Sequence, residues 1–181
     1  MLTEWNLSYE EWMIGDGQPH RHFGETFEWL AVEFWSLEPL NKSDEQPRSA
    51  VAVPNFKYKV IAEVTFLSEK SCVIDFGLRA ISTSDRISPP CKVGDYVAGE
   101  ISLGVPLCID IVPDQVLNAL RHKWKVNGIS ADLTPFVASP DNPRYFTRDD
   151  SRIQYQNVPS TECVQANNYI LHCTEVLPFD Q

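Results

Sequence analysis

The segment KYKVIAEVTFL, residues 57–67, constrains the fold most, because its apolar and polar side chains alternate with a period of two. Successive side chains of a β-strand point to opposite faces, so this alternation gives one face that is largely apolar. That face takes, in order, Tyr58, Val60, Ala62, Val64 and Phe66. The pattern predicts a half-buried antiparallel strand.

Two further strands are predicted directly downstream. CVIDFGLRAI, residues 72–81, alternates in the same way after a polar link, which indicates a hairpin with the first strand. A third strand follows the turn KVGD and carries Val97, Ile101 and Leu103 on one side. Gly77 and Gly99 lie inside these strands and indicate bulges or sharp bends, where a sheet curls toward a barrel.

The remaining elements flank these three strands. VPDQVLNALRHKW, residues 112–124, has helical spacing and predicts the one helix. WKVNGISADL (124–133) and NNYILHCTEV (167–176) predict two more strands, and the long stretch 139–167 between them is expected to hold structure of its own. Upstream, ETFEWLAVEFW (25–35) is apolar on both faces, which is typical of a covered strand.

The order of these elements defines the expected fold class. Strand, strand, strand, helix, strand, strand from Lys57 to Val176 resembles the outline of an OB-type five-stranded barrel. We therefore expect a mainly β, β-rich α+β protein, with an antiparallel curled sheet or small barrel and one helix. A length of 181 residues suits a single domain, 1–181. Residues 57–177 form the predicted barrel-like core and residues 1–50 an added acidic, tryptophan-rich layer.

Charge is unevenly distributed along the chain. The formal net charge is −10, and residues 1–50 hold ten acidic against three basic side chains, a net charge of −7. Such a field repels nucleic acid and anionic membranes and speeds encounter with a basic partner. Four of the five tryptophans fall in the same fifty residues, and aromatic side chains dominate the energetics of protein interfaces.

The leading hypothesis is therefore a non-enzymatic, cytoplasmic binding protein that captures a basic protein, such as an immunity protein that antagonises a toxin. Cofactors are not expected. The first residues lack a signal peptide pattern, and no transmembrane run is predicted. The five cysteines are odd in number and widely spaced, which favours a reducing cytoplasm. The predicted partner-binding residues are Trp5, Trp12, Glu10, Glu11, Glu25 and Glu28.

A nucleic-acid-binding module is the first alternative. The run RHKWKV, residues 121–126, is basic and contains an aromatic side chain. Single-strand grooves use such pairs, because cations follow the backbone while bases stack on aromatic rings. The residues concerned are Arg121, Lys123, Trp124 and Lys125.

A metal-dependent enzyme is the second alternative. His20 and His22 would share one face of a strand, and Glu25 follows within reach, so the three could chelate one metal ion. Pro19 and the nearby glycines favour a polar loop instead. The common hydrolase, nucleotide-binding and zinc-protease motifs are missing from the sequence. His122 and His172 could act as general bases if a serine or cysteine lay nearby.

Overall fold

The structure is a computed structural model in which fourteen strands are described. For residues 26–29 only the strand pairing is described. The described residues are 4–10, 26–105, 116, 120–139, 142 and 144–176. The strands are β1 (Glu4–Glu10), β2 (Thr26–Leu30), β3 (Glu33–Trp35), β4 (Asn41–Ser43), β5 (Ser49–Val53), β6 (Lys57–Leu67), β7 (Ser71–Asp75), β8 (Arg79–Thr83), β9 (Tyr96–Gly104), β10 (His122–Asp132), β11 (Phe136–Ala138), β12 (Phe146–Arg148), β13 (Tyr155–Val158) and β14 (Asn168–Glu175).

Five of these strands close into a small barrel. The order is β9, β3, β8, β7, β6, and β6 pairs back onto β9 to complete the ring. All neighbours are antiparallel except β3 and β8, which run parallel through Glu33 and Ile81. The prediction of a β-rich protein with a small barrel is therefore confirmed. We call these five strands the barrel.

A second group of strands extends from the barrel as an open sheet, in the order β13, β10, β14, β1, with β2 also paired to β10. β1 joins this open sheet to the barrel through a parallel bridge between Ser8 and Gly104 of β9. The sequence interpretation placed β10 and β14 in the barrel, and this membership is wrong. β14 pairs along its whole length with β1 and β10, so its backbone groups are already satisfied.

The first fifty residues contribute strands to both the open sheet and the barrel. β1 and β2 belong to the open sheet, β3 is a barrel strand, and β4 pairs with β9 beside it. The segment 25–35, predicted as one strand, divides into β2 and β3 at Ala31 and Val32. Val32 is fully buried, and its carbonyl accepts a hydrogen bond from the amide of Ile81 at 2.9 Å, which guides β3 into the barrel.

The predicted strand 72–81 also divides into two, β7 and β8. Asp75 accepts a hydrogen bond from the amide of Gly77 at 2.9 Å, a local turn that aspartate favours. Gly77 has φ of +102°, which its missing side chain permits. The sharp bend predicted at Gly77 is thus confirmed and is tight enough to reverse the chain. Asp75 is held in turn by ion pairs with Arg48 and Arg79.

The bulges lie elsewhere than predicted. The register shifts between Val64 and Phe66 in β6, and between Val126 and Gly128 in β10. Phe66 therefore leaves the apolar side of β6 and packs in a small second cluster outside the barrel. Gly99 has a packing role, because a Cβ there would lie 2.6 Å from Cδ2 of Leu40.

One hydrophobic core serves both the barrel and the open sheet. Alternate residues of β1 supply Trp5, Leu7 and Tyr9, each no more than 2% exposed. Trp5 packs against Tyr58 and Phe76 of the barrel, with ring centroids 5.2 Å and 5.7 Å apart. The two parts are therefore expected to unfold together.

The predicted helix lies mostly outside the described residues, which include Val116 and Leu120 of its apolar positions. Its predicted end is wrong, because residues 122–124 belong to β10. The stretch 139–167 holds structure of its own, as predicted, in β12, a 3₁₀ turn at Asp150–Arg152 and β13. In the described part of the chain, no helix combines the length and the apolar character needed to cross a membrane.

Candidate functional site

The open sheet has two chemically different faces. One face is apolar and completes the shared core, whereas the other carries polar side chains, which we call the polar face. Pairing across β13, β10, β14 and β1 sets these residues side by side. The polar face consists of Asn6, Ser8, Glu10, Ser130, Asp132, Tyr155, Asn157, Asn168 and His172.

A cleft of about 380 Å³ opens above this face, at the seam between the open sheet and the barrel. The β11–β12 hairpin and the turn between β5 and β6 form its walls. Its volume is within the range of small-ligand sites. The lining residues are Asn6, Ser8, Glu10, Trp35, Asn55, Phe56, Ser102, Leu103, Asp132, Phe136, Arg148, Tyr155, Asn167, Asn168 and Ile170.

The floor of the cleft is fixed by hydrogen bonds among its own side chains. The Asn168 amide donates to Oγ of Ser8 at 2.6 Å, and the Asn167 amide donates to the carbonyl oxygen of Thr134 at 3.0 Å. The backbone amide of Tyr169 donates to Oδ1 of Asn168 at 2.9 Å. A floor held in this way loses little conformational freedom when a ligand binds.

One wall carries a partly buried ion pair. The carboxylate of Asp132, with 7% of its side chain exposed, accepts from Arg148 at 3.1 Å. Arg148 also donates to Asp150, to Oγ1 of Thr134 at 3.3 Å and to the hydroxyl of Tyr155 at 3.0 Å. Burial, together with the charge of Asp132, raises the pKa of Tyr155. Arg148 thus ties β12 to the open sheet.

Aromatic rings form much of the remaining wall. The ring of Trp35 lies against Gly104, where a Cβ would come within 2.6 Å of two ring carbons. Asn55 and Phe56 have φ of +64° and +58°, a left-handed conformation that is rare for a bulky residue. Phe56 is held by an edge-to-face contact with Tyr155 at 4.9 Å. Strain of this kind is concentrated at functional sites.

A row of hydrogen-bonded side chains crosses the polar face beside the cleft. His172 places Nδ1 2.7 Å from Oδ1 of Asn6 and Nε2 2.8 Å from Oγ of Ser130, and Ser130 contacts Asn157 at 3.0 Å. Unlike the serine of a serine–histidine–asparagine relay, Ser130 donates its hydroxyl proton to Oδ1 of Asn157. Ser130 is only 5% exposed, and the ring of Phe56 lies 5.9 Å from that of His172. These hydrogen bonds therefore form a structural network that joins β1, β14, β10 and β13.

The two histidines considered as general bases have different surroundings. Desolvation lowers the pKa of His172, which favours its neutral form. Nδ1 of His122 lies 2.7 Å from Oε1 of Glu175, at the far end of β10 from the cleft. The pairing of His172 with Ser130 could not be found from sequence, because the two residues are 42 positions apart.

The predicted partner-binding residues are not all on the surface. Trp5 is 2% exposed and belongs to the core, so its assignment to an exposed contact is wrong. Alternation in β1 explains this, since Trp5 shares the buried face with Leu7 and Tyr9. Glu10 lines the cleft. Trp12, Glu11, Glu25 and the side chain of Glu28 lie outside the described residues.

The predicted nucleic-acid-binding residues lie on β10 or directly before it. Trp124 is fully buried, and its indole N–H donates to the carbonyl oxygen of Leu30 at 3.1 Å, so it cannot stack on a base. Arg121 and Lys125 are exposed, and Lys123 is half-buried. The prediction that these cations lie beside an accessible aromatic ring at Trp124 is therefore wrong.

The predicted metal ligands His20, His22 and Glu25 lie outside the described residues. Among the residues that the structure does describe, no three histidine, cysteine, aspartate or glutamate side chains form a group able to hold a metal ion. The cysteines Cys72, Cys91 and Cys163 are free thiols. Burial raises the pKa of Cys72 to about 12, which makes it unreactive.

Fold and site together define a β-barrel protein with an open sheet and a polar, aromatic-walled cleft. Comparison with known proteins adds no relative: no family model, curated protein or solved structure matches this chain.

Proposed function

We propose that this chain is a non-enzymatic binding protein that captures a basic protein partner through the cleft. The observation that carries the proposal is the cleft itself, which combines the carboxylates of Glu10 and Asp132 with the aromatic side chains of Trp35, Phe56 and Tyr155. Negative charge favours a basic partner and raises the association rate, while aromatic rings supply anchoring contacts.

Exposed apolar side chains beside the cleft also support a protein partner. Phe136 is 47% exposed at the edge of the cleft, and Ala138 of β11 pairs with Phe146 of β12, which is 66% exposed. Tyr145, directly before β12, is 68% exposed, and Ile153, after the 3₁₀ turn that follows β12, is 41% exposed. A cluster of exposed aromatic side chains next to a polar cleft is typical of interfaces.

The specific form that we propose is a toxin antagonist, in the manner of bacterial immunity proteins, that acts in the cytoplasm. Strong acidity and small size suit such an antagonist, because many toxins that act on nucleic acid are basic. A reducing location is consistent with the free thiols of Cys72, Cys91 and Cys163.

Native mass spectrometry of the untagged protein, purified at low salt from its source, tests the proposal. We expect a complex with a polypeptide of high isoelectric point, lost in Glu10→Gln. The control is Glu100→Gln, which removes the same charge from a 44% exposed side chain on β9. A bound transition metal without any polypeptide would favour the His20 and His22 alternative. A complex with nucleic acid, or one unaffected by Glu10→Gln, would contradict the proposal.

A further inference from the structure

The charge of the cleft indicates what kind of group it accepts. Glu10 and Asp132 line it, and Arg148 is the one cation among the described lining residues. The guanidinium of Arg148 donates to Asp132, Asp150, Thr134 and Tyr155, so its donors are directed into the wall. Two carboxylates against one guanidinium leave the lining with a net negative charge, which favours a cationic group and disfavours an anion.

The walls discriminate between the two cations of a basic protein. Trp35, Phe56 and Tyr155 line the cleft with planar rings, and the rings of Phe56 and Tyr155 lie edge to face. An arginine guanidinium is planar, weakly hydrated and stacks on aromatic faces, whereas the ammonium of lysine is compact and strongly hydrated. Entry into a walled cleft removes water, so the loss of hydration opposes lysine more than arginine.

The acceptors in the cleft match a planar donor. A guanidinium carries five N–H donors and no acceptor. Glu10 and Asp132 supply carboxylate oxygens, and Ser8 and Ser102 add hydroxyl oxygens from β1 and β9. These acceptors lie on separate strands, and a planar, forked donor offers more N–H groups to such a set than a single ammonium does.

From these three observations we propose that the cleft receives an arginine side chain of the partner and discriminates against lysine. The inference rests on the proposed function, which supplies the basic protein, and adds the identity of the anchoring group.

Three five-residue peptides test the inference, identical except for arginine, lysine or neutral citrulline at the centre. Each is titrated at low salt into the ¹⁵N-labelled full chain, and amide shifts are followed by NMR. We expect arginine to bind at least about five times more tightly than lysine, and citrulline not to saturate. The shifts should centre on Asn6, Ser8, Asn168 and the indole N–H of Trp35. Glu10→Gln should weaken arginine binding at least about fivefold, and Glu100→Gln should leave it unchanged.

Several results would overturn the inference. Equal affinity for the arginine and citrulline peptides would show that charge does not cause the binding. Equal affinity for the arginine and lysine peptides would show that stacking does not select between them. Shifts confined to the barrel surface would place the site elsewhere. Saturation of the cleft by N-acetylglucosamine, with no response to the arginine peptide, would indicate a site for neutral polyols. If the peptides fail while native mass spectrometry still shows a basic polypeptide lost in Glu10→Gln, the proposed function stands and the arginine inference falls.

Discussion

Side chains alternate between two faces in both the barrel and the open sheet, but the face turned away from the core differs between the two parts. In the barrel, the inward face of β6 packs Tyr58, Val60, Ala62 and Val64 at 3% exposure or less, and Lys59 of the other face meets solvent. In the open sheet, the apolar face is buried in the same core, but the second face is covered as well. Ser130 and Asp132 on that face are each 5% exposed.

This difference bears on where the proposed binding function lies, because a buried polar face is costly. Burial of polar groups costs free energy unless each is hydrogen-bonded, and an apolar face would avoid that cost. The open sheet instead has a polar face with a cleft above it. Hydrogen bonds through His172 and the ion pair of Arg148 with Asp132 stabilise this face. We therefore assign the proposed binding function to the polar face of the open sheet and its cleft, and structural support to the barrel.

The largest expected effect tests whether the two parts share one core. Phe34→Ala in the barrel and Trp124→Ala in the open sheet each remove a fully buried ring and should each cost about 3–5 kcal/mol of unfolding free energy. Urea unfolding, followed by circular dichroism and by fluorescence, should show one transition in both variants. Two separate transitions in Trp124→Ala would mean that the barrel folds alone.

The next effect concerns the ion pair in the cleft wall. Arg148→Ala leaves the buried carboxylate of Asp132 without its cation and should cost about 2 kcal/mol. Arg152→Ala is the matched control, because its side chain is 59% exposed and pairs with Asp149 at the surface. That variant should stay within about 0.5 kcal/mol of the wild type in urea unfolding. Similar losses in both variants would contradict the role given to Arg148.

The contact between Trp35 and Gly104 gives a smaller effect. Gly104→Ala places a methyl group where the Trp35 ring lies and should cost about 1–2 kcal/mol, with a shift in tryptophan fluorescence. The second variant Trp35→Leu, added to Gly104→Ala, removes the ring and should restore part of the loss. If the double variant is no more stable than Gly104→Ala, the strain lies in the backbone near Ser8 instead.

The dependence of stability on pH isolates the row on the polar face. Desolvation lowers the pKa of His172 in the folded state, so the unfolded chain binds a proton more readily. The free energy of unfolding should therefore fall as pH decreases from about 6.5 toward the lower folded pKa. His172→Asn should make this dependence shallower in urea titrations between pH 7 and 5. An unchanged slope in the variant would show that His172 is not the group responsible.

The smallest effect is chemical and leaves stability untouched. Cys163 is exposed and should react with iodoacetamide in the native protein within minutes. Cys72 and Cys173 are buried and should react only after unfolding, Cys72 also because its pKa is about 12. Mass spectrometry of labelled peptides gives the order, and rapid native labelling of Cys72 would contradict the packing of the barrel.

Local patterns predicted the strands and the hairpin of β6 with β7, but not how the barrel closes. The alternation in 57–67 predicted β6, and the segments around Val97 and Leu171 predicted β9 and β14. Closure of the barrel depends on the parallel pair of β3 with β8, 48 residues apart at Glu33 and Ile81. Such a pairing leaves no local signal, because each strand has the same pattern whichever neighbour it takes.

The candidate site was only partly accessible to sequence reasoning. Glu10 was predicted from the acidity of its surroundings, and it does line the cleft. The acidic neighbours of Trp5 predict an exposed contact, whereas the alternation of Trp5, Leu7 and Tyr9, which is readable in the sequence, indicates the buried face that the structure shows. The pair of Asp132 with Arg148 depends on the path of the chain between β10 and β12, which no motif specifies.

Site-specific photo-crosslinking tests the central claim most directly. A photoreactive phenylalanine analogue is placed at Phe136, on the edge of the cleft, or at Val93, which is 57% exposed in the turn before β9. After irradiation in the source cells, crosslinked products are identified by mass spectrometry. We predict a basic protein crosslinked at position 136 and not at position 93. Crosslinks to that protein at position 93 alone would place the interface on the barrel and contradict the account.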